Sequence, residues 1–409
     1  MDIAVTPVRQ EVVSDQVADV AATVRAGLRA LPLQGLIQPD MRIAIGVGSR
    51  GISCLDESVS ALVAELRGLG AAPVVVPAMG SHGGGTAEGQ RKVLESYGLT
   101  RERLQVPIRS GMETVQIGTT PAGMRVYFSR EAAASDGIIV VNRIKEHTAF
   151  KGRWESGLMK MLAVGLGKVE GATEIHNWGV RDAMPAAARV ILEEMPVLAG
   201  VAIVENGHHE PAEIVVLPAE QIEQEEPKLL DRARALTPRI PFEPLDLLVV
   251  GEMGKDISGT GMDLNVIGMW RRAGGPVSPQ FETIAVLALT EDSHGNAIGV
   301  GHGDLITRRL YDKIDFEATY TNSLTSHNLA GGKIPIVLPS DRAAIEAGLA
   351  GVDPGRARLL LIRNTLELEQ MWVSQPLLAS VEASPRLAVM GAPRPLPFTA
   401  AGELDWTAL

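Results

Sequence analysis

The chain has 409 residues, 45% of them hydrophobic and 21% charged, which suits roughly two or three folded domains that need no disulfide or structural metal. Its 38 Lys and Arg residues against 49 Asp and Glu give a net charge of -11, the wrong sign for binding a nucleic-acid backbone or an anionic membrane. The single cysteine, Cys54, excludes an internal disulfide, a four-cysteine zinc site and an iron–sulfur cluster held by this chain alone.

The N-terminal segment does not resemble a signal peptide, because Asp2, Pro7 and several charges interrupt it before an apolar stretch can accumulate. No apolar run approaches the ~20 residues that a helix needs to cross a bilayer. We therefore expect a cytoplasmic protein with no membrane or nucleic-acid partner.

Short β-rich runs recur along the chain, at 41–47, 72–78, 136–142, 199–205, 245–251, 283–289 and 357–363. Most are continuous apolar strings, as expected for strands that are covered on both faces of a parallel sheet. Helical patterns lie between them, for example over 56–70, which ends at two glycines. The alternation predicts an α/β fold with two α/β domains, mainly parallel sheets and an interdomain cleft.

The stretch 223–244 combines a charge run, a helix-like segment and four prolines, and we place the domain boundary there. The sequence thus predicts an N-terminal α/β domain over 1–240 and a C-terminal α/β domain over 245–375 that closes the cleft. We expect the proline-punctuated tail over 376–409 to pack back on the N-terminal domain. Ligands of such domains bind beyond the carboxyl ends of the strands and between the domains.

The loops after the first three strands carry cationic or titratable side chains. Arg50 follows the first strand, His82 stands in a glycine-dense turn after the second, and Lys145 and His147 follow the third. Each histidine by itself is as readily a structural residue as a catalytic one.

A short helix is predicted after Ser156, a plausible N-cap, with Lys160 in its first turns. A lysine near the positive end of a helix favours a neutral amine, suited to nucleophilic use or covalent attachment of a cofactor; the alternative is that it simply projects into water. Gly165 to Lys168 is only superficially like a phosphate loop, because the Walker spacing is absent. His176 could bind a transition metal, but one histidine does not make a site.

Taken together, these segments resemble the nickel-dependent lactate racemase family. One family motif, approximately Gly-x-His-x-x-x-Thr-x-Glu, is matched by Gly80, His82, Thr86 and Glu88. A second motif is matched in order by Arg143, Lys145, His147, Phe150, Gly152, Ser156, Gly157 and Lys160, with Glu146 where the family has proline and about three more residues between His147 and Lys160. The interval of sixteen residues from the lysine to the nickel-binding histidine is also kept, from Lys160 to His176. The resemblance covers about residues 40–180.

The resemblance implies a racemase or 2-epimerase of a 2-hydroxy acid that works by reversible hydride transfer to a nickel pincer nucleotide. It makes 1–240 the cofactor-binding and catalytic domain. Lys160 would carry the cofactor covalently and His176 would bind its nickel, while His82 and His147 would act as acid and base. Arg50 is the candidate contact to the substrate carboxylate or the cofactor phosphate, and Lys145 is a second substrate contact. The backbone N–H groups at Ser156 and Gly157 could receive the phosphate.

The partners that this hypothesis implies are a small 2-hydroxy acid and the enzymes that make the cofactor, and the sequence leaves a homo-oligomer open.

In the second domain, the glycine-rich segment 251–265 is interpreted either as a wall facing His82 across the cleft or as a connection with no functional role. We expect the remaining histidines to be solvated or structural, since they lack a zinc-site spacing: His208, His209, His294, His302 and His327. Two other hypotheses stay open, a different metal-dependent hydrolase or lyase and a non-catalytic binder of an anionic metabolite.

Overall fold

The structure is a computed structural model and describes residues 3–48 and 51–409. Its strands are β1 (Ala4–Gln10), β2 (Arg42–Val47), β3 (Ala72–Pro77), β4 (Thr114–Thr119), β5 (Arg125–Ser129), β6 (Gly137–Arg143), β7 (Val197–Glu205), β8 (Pro211–Pro218), β9 (Leu245–Met253), β10 (Phe281–Leu289), β11 (Leu305–Thr307), β12 (Ile336–Leu338), β13 (Leu359–Ile362), β14 (Gln370–Ser374), β15 (Leu387–Val389) and β16 (Arg394–Pro395).

The helices that accompany these strands are α1 (Val20–Ala30), α2 (Leu33–Leu36), α3 (Leu55–Gly68), α4 (Ala87–Ser96), α5 (Arg101–Leu104), α6 (Arg130–Ala133), α7 (Leu158–Lys160), α8 (Lys168–Trp178), α9 (Val180–Glu194), α10 (Ala219–Leu236), α11 (Leu264–Ile267), α12 (Trp270–Ala273), α13 (Arg308–Asp312), α14 (Phe316–Thr325), α15 (Asp341–Gly348) and α16 (Leu378–Glu382). A π-helical turn over Met161–Gly165 continues directly from α7.

The chain divides into two units. The N-terminal unit comprises Val13–His147 and Lys151–Thr237, and the C-terminal unit comprises Thr148–Phe150, Pro238–Leu409 and the residues up to Val12. The main sheet of the N-terminal unit has the order β3-β2-β6-β7-β8, with parallel pairing except between β7 and β8. Helices α1 and α3 bury apolar residues in the core on this sheet, including Val24, Leu62 and Leu66.

The sheet of the C-terminal unit has the order β12-β11-β10-β9-β13-β14-β1-β15, and β16 also pairs with β1. Strands β9 to β13 pair in parallel within it, whereas β14, β1, β15 and β16 extend it with antiparallel pairing. The parallel strands are almost entirely buried, which explains their continuous apolar sequences.

The predicted α/β fold class with mainly parallel sheets is confirmed, and every predicted β-rich run contains a strand. The first residues and the last residues of the chain belong to the same unit, which differs from the predicted domains. Strand β1 belongs to the C-terminal sheet, and the tail beyond residue 376 pairs with β1 through β15 and β16. The switch of units falls between Thr237 and Pro238, inside the stretch 223–244. Within the described ranges, no helix combines the length and the apolar character required to span a membrane.

Candidate functional site

The loops that carry the candidate residues leave the same edge of the N-terminal sheet. Strands β2, β3 and β6 are parallel neighbours, so their carboxyl ends lie side by side. Gly48 follows β2, His82 follows β3, and Lys145 and His147 follow β6. Arg50, predicted to contact the substrate or the phosphate, lies outside the described residues.

His82 stands in a turn whose backbone depends on glycine. Gly80 has φ +58°, and Gly83, Gly84 and Gly85 have φ values of +64°, +66° and +64°, a region that other residues rarely adopt. The N–H of Gly80 donates to the carbonyl of Gly165 at 3.0 Å, which fixes the turn against the π-helical turn after α7. The His82 side chain is half-buried. The turn therefore holds an imidazole at the sheet edge beside the segment that follows Lys160.

The segment that carries His147 is tied to the start of the Lys160 helix. The backbones of Lys145 and Ser156 exchange two hydrogen bonds, of 2.8 and 3.1 Å. The N–H of His147 donates to Oε2 of Glu155 at 2.6 Å. Glu155 is fully buried and also accepts from Arg234 of α10, at 2.8 Å. The buried carboxylate thus fixes the backbone of His147 immediately after β6.

The Lys160 helix packs against the carboxyl ends of β2 and β6. Leu158, Met161 and Leu162 are buried, as the sequence predicts, and Lys160 itself is half-buried. The side-chain amide of Asn142, on β6, donates to the carbonyl of Gly157 at 3.0 Å. Lys160 is therefore in the first turn of a short helix at the same sheet edge.

The start of this helix is capped differently from the prediction. Gly157, not Ser156, is the N-cap residue, and no side chain caps from within the segment. Instead, Oε2 of Glu226 accepts from the N–H of Met159 at 2.8 Å, and the N–H of Leu158 bonds to the same carboxyl group. The N-cap assignment of Ser156 is wrong, because the cap is Gly157 and a carboxyl group from α10 accepts from the N–H groups of Leu158 and Met159. The role of the Ser156 and Gly157 N–H groups as phosphate contacts stays a prediction.

Glu226 is an unusual carboxyl group. It is almost completely inaccessible to solvent, and its Oε1 atom has no hydrogen-bond partner. Burial raises its pKa to about 7, although the two backbone N–H groups act in the opposite direction. A Cβ added at Gly157 would lie 2.5 Å from the carboxyl carbon of Glu226, so this position accepts only glycine without rearrangement.

His176 lies in the last turn of α8 and is exposed. The first turn of α8 approaches the His82 turn, since a Cβ at Gly85 would lie 3.2 Å from Cγ2 of Val169. Among the residues that the structure describes, no three His, Cys, Asp or Glu side chains form a group that could hold a metal ion. His176 is thus a single accessible imidazole on the helix that follows the Lys160 segment.

The structure brings the backbone segments of His82, His147 and Lys160 together at one sheet edge and places the first turn of α8 beside them. His176 lies at the other end of that helix, in its last turn. Sequence reasoning missed three residues that hold these segments, Glu155, Glu226 and Arg234. Two of them belong to α10, whose charged sequence we interpreted as a domain boundary. Its apolar residues at helical spacing, among them Ile222, Leu229 and Leu230, are buried and were the signal available.

The C-terminal unit holds the other candidate residues. In the segment 251–265, Lys255 donates to the side chain of Asn322 at 2.9 Å, and Asp256 accepts from Thr290 at 2.6 Å. Its predicted role as a wall facing His82 stays a prediction. His302 is buried with both ring nitrogens unpartnered, and burial together with the charge of Arg272 lowers its pKa to about 4, so it is neutral near pH 7.

The chain matches one family model over part of its length and is similar in fold to a solved structure. Residues 3–185 match the family model described as the lactate racemase N-terminal domain. The chain is similar to the structure of the lactate racemase apoprotein from Thermoanaerobacterium thermosaccharolyticum, with a TM-score of 0.57 and 13% sequence identity, covering 88% of this chain and 94% of that one. No curated protein sequence matches the chain significantly.

Proposed function

We propose that the protein is a racemase or 2-epimerase of a 2-hydroxy acid. The match of residues 3–185 to the lactate racemase N-terminal domain and the similar fold support a racemase-type function. The observation that carries the proposal is the ordered set His82, His147, Lys160 and His176, of which the first three lie on segments that pack at one sheet edge and the fourth on the helix that follows. Four such residues in this order, with the interval of sixteen residues from Lys160 to His176, are harder to obtain by chance than any single motif.

We propose that the enzyme uses a nickel pincer nucleotide. The donor chemistry fits, because a primary amine and an imidazole are the groups needed for a covalent link and a nickel ligand, and both side chains reach solvent at least in part. Lys160 would hold the organic ring and His176 the metal. Of the two proposed phosphate donors, the N–H of Ser156 already donates to the carbonyl of Lys145, and the N–H of Gly157 stays the proposed contact. When bound, the group supplies reversible removal of the hydrogen at the carbinol carbon with its electron pair.

The chain's own residues move the hydroxyl proton. Inversion requires the carbinol carbon to become planar, so the hydroxyl proton leaves on one side and is restored on the other. An imidazole with a pKa near the usual 6.5 serves as base for one enantiomer and acid for the other. We assign proton transfer on one side of the planar carbon to His82 and proton transfer on the other side to His147. Lys145, two residues before His147, is the proposed contact to the substrate carboxylate, together with Arg50.

The hydrogen bonds around His147 and Lys160 suit these roles. Glu155 holds the backbone of His147, and Asn142 and Glu226 hold the first turn that presents Lys160. Such fixed geometry keeps reacting groups within the narrow range that catalysis requires. The proposed partners are therefore a small 2-hydroxy acid and the enzymes that synthesise the cofactor.

The activity test is a chiral assay on a panel of 2-hydroxy acids with protein produced together with the cofactor-synthesis enzymes. We expect inversion of at least one acid, and a loss of about 10²- to 10⁴-fold in kcat for His82→Ala and for His147→Ala. His327→Asn is the control, because this exposed residue of the C-terminal unit has φ +51°, which Asn tolerates. Wild-type activity in either alanine variant would contradict the assignment.

A further inference from the structure

Lys168 is a fully buried lysine at the first position of α8. Its ammonium group donates to the carbonyl of Pro77, the last residue of β3, at 2.7 Å, and to Oε1 of Gln90 at 3.2 Å. Its backbone has φ +54°, a conformation that non-glycine residues seldom adopt. The side chain therefore joins α8 to the end of β3 and to α4.

Gln90 continues this connection to the His82 turn. It is fully buried on α4, and its amide nitrogen donates to the carbonyl of Gly80 at 2.8 Å and to that of His82 at 3.4 Å. The amide oxygen accepts from Lys168. The amide group thus bonds on one side to the α8 lysine and on the other to two carbonyls of the turn.

The arrangement is costly in free energy. Burial lowers the pKa of Lys168 to about 8, and the charge of Glu131 opposes this only in part. Within the described ranges no carboxylate forms an ion pair with it. Burying a charge that has no opposite charge beside it costs free energy. Stability alone therefore does not account for a lysine at this position.

The turn itself needs external support. Three successive glycines at positive φ give its backbone more conformational freedom than other residues would. The side-chain amide of Gln90 donates to the carbonyls of Gly80 and His82, which both precede these glycines. The orientation of the His82 segment relative to α8 consequently depends on Gln90 and Lys168.

We infer that Lys168 and Gln90 are positioning residues that hold the His82 turn against α8, the helix that carries His176. The expected effect on kcat rests on the proposed function of His82. The expected effect on the position of the His82 turn does not. A displacement of about 1 Å in a reacting group can cost on the order of 10²-fold in rate, so a hydrogen-bonded support of this kind acts on kcat.

The test compares Lys168→Met, Gln90→Glu and the control Lys92→Met in protein without cofactor. Lys168→Met keeps the aliphatic stem and removes both hydrogen bonds. Gln90→Glu retains an acceptor for Lys168 and adds a counter-charge, but it removes the donor to the two carbonyls of the turn. Lys92→Met makes the same chemical change on α4 at an exposed side chain.

The first readouts are the ring signals of histidine-labelled protein in NMR, assigned with His82→Ala, and amide exchange over residues 80–86. We expect Lys168→Met and Gln90→Glu to shift the His82 signal and its pKa, to accelerate exchange by about tenfold or more, and to leave the His147 signal unchanged. The inference is overturned if the His82 signal and the exchange match those of Lys92→Met. If Lys168→Met fails to fold, Gln90→Glu tests the inference alone, with the same expected result and the same contradicting result.

The second readout is activity after cofactor loading, with adduct content measured. We expect kcat to fall by roughly 10- to 100-fold in both variants with KM changed by less than about threefold. Altered NMR signals and exchange with unchanged kcat would support the positioning of the turn and refute the proposed role of His82, which separates the two claims.

Discussion

At the scale of single residues, Glu226 has the clearest consequence for stability. Its pKa is raised from the ordinary 4.5 to about 7 in the folded protein. Between these values the folded state binds more protons than the unfolded state, so the free energy of unfolding falls as pH rises. Glu226 thus stabilises the start of the Lys160 helix best when it is protonated.

We predict that Glu226→Gln makes the stability of the protein less dependent on pH between about 5 and 7.5, because a neutral amide accepts the same N–H bonds without titrating. The variant should gain stability relative to wild type as pH increases through this window. Urea unfolding at several pH values measures the difference, and Glu225→Gln, on the same helix, is the control. A parallel decline in wild type and Glu226→Gln would contradict the prediction.

The candidate residues could be found from the sequence, but their supports could not. Order and spacing along the chain identify His82, His147, Lys160 and His176, because these are local properties. The hydrogen bonds that Met159 donates to Glu226 and Lys168 donates to Gln90 join residues 67 and 78 positions apart, respectively. No local pattern in a single sequence encodes such pairs.

At the scale of elements, seven strands were predictable because continuous apolar runs are typical of parallel strands that are buried on both faces. The remaining strands, which are short or antiparallel, lack long runs of this kind and were not predicted. The Lys160 helix was also predictable, but its cap was not, since the capping group comes from α10. The charges and Pro227 of α10 suggested a boundary, whereas tertiary packing maintains the helix from Ala219 to Leu236.

The close approach of α10 to the Lys160 helix predicts the effect of Gly157→Ala. The added methyl group would overlap with the buried carboxyl group of Glu226, and we expect a loss of about 1–3 kcal/mol in the free energy of unfolding. Gly68→Ala is the matched control, because a Cβ added there would have no atom within 4 Å and alanine favours a helix. Equal stabilities of the two variants would refute the proposed packing constraint.

At the scale of the whole molecule, the first strand joins the sheet made by the last part of the chain. Antiparallel pairing of β1 with β14 and β15 connects residues more than 350 positions apart. The sequence near the N-terminus, which Pro7 and several charges interrupt, was not predicted as a strand and contains no information about a partner strand. This explains why the predicted domain of residues 1–240 included a strand that belongs to the other unit.

We predict that Val8→Asp disrupts the C-terminal sheet, because Val8 is fully buried and an unpaired carboxylate there costs several kcal/mol or more. Arg9→Asp, at the exposed neighbouring position of β1, is the control. Hydrogen exchange should accelerate over β14 and β13 in Val8→Asp and remain slow in β2 and β6. Unchanged exchange in β14 would contradict the role of β1.

The central claim is that Lys160 carries a covalent nickel-binding cofactor. It is tested most directly by intact mass and peptide mapping, with nickel analysis, on protein produced together with the cofactor-synthesis enzymes, alongside Lys160→Arg. We predict an added mass on the peptide that contains Lys160 and about one nickel per chain, with both absent from Lys160→Arg. Correctly matured wild-type protein with neither the adduct nor the nickel would contradict the account.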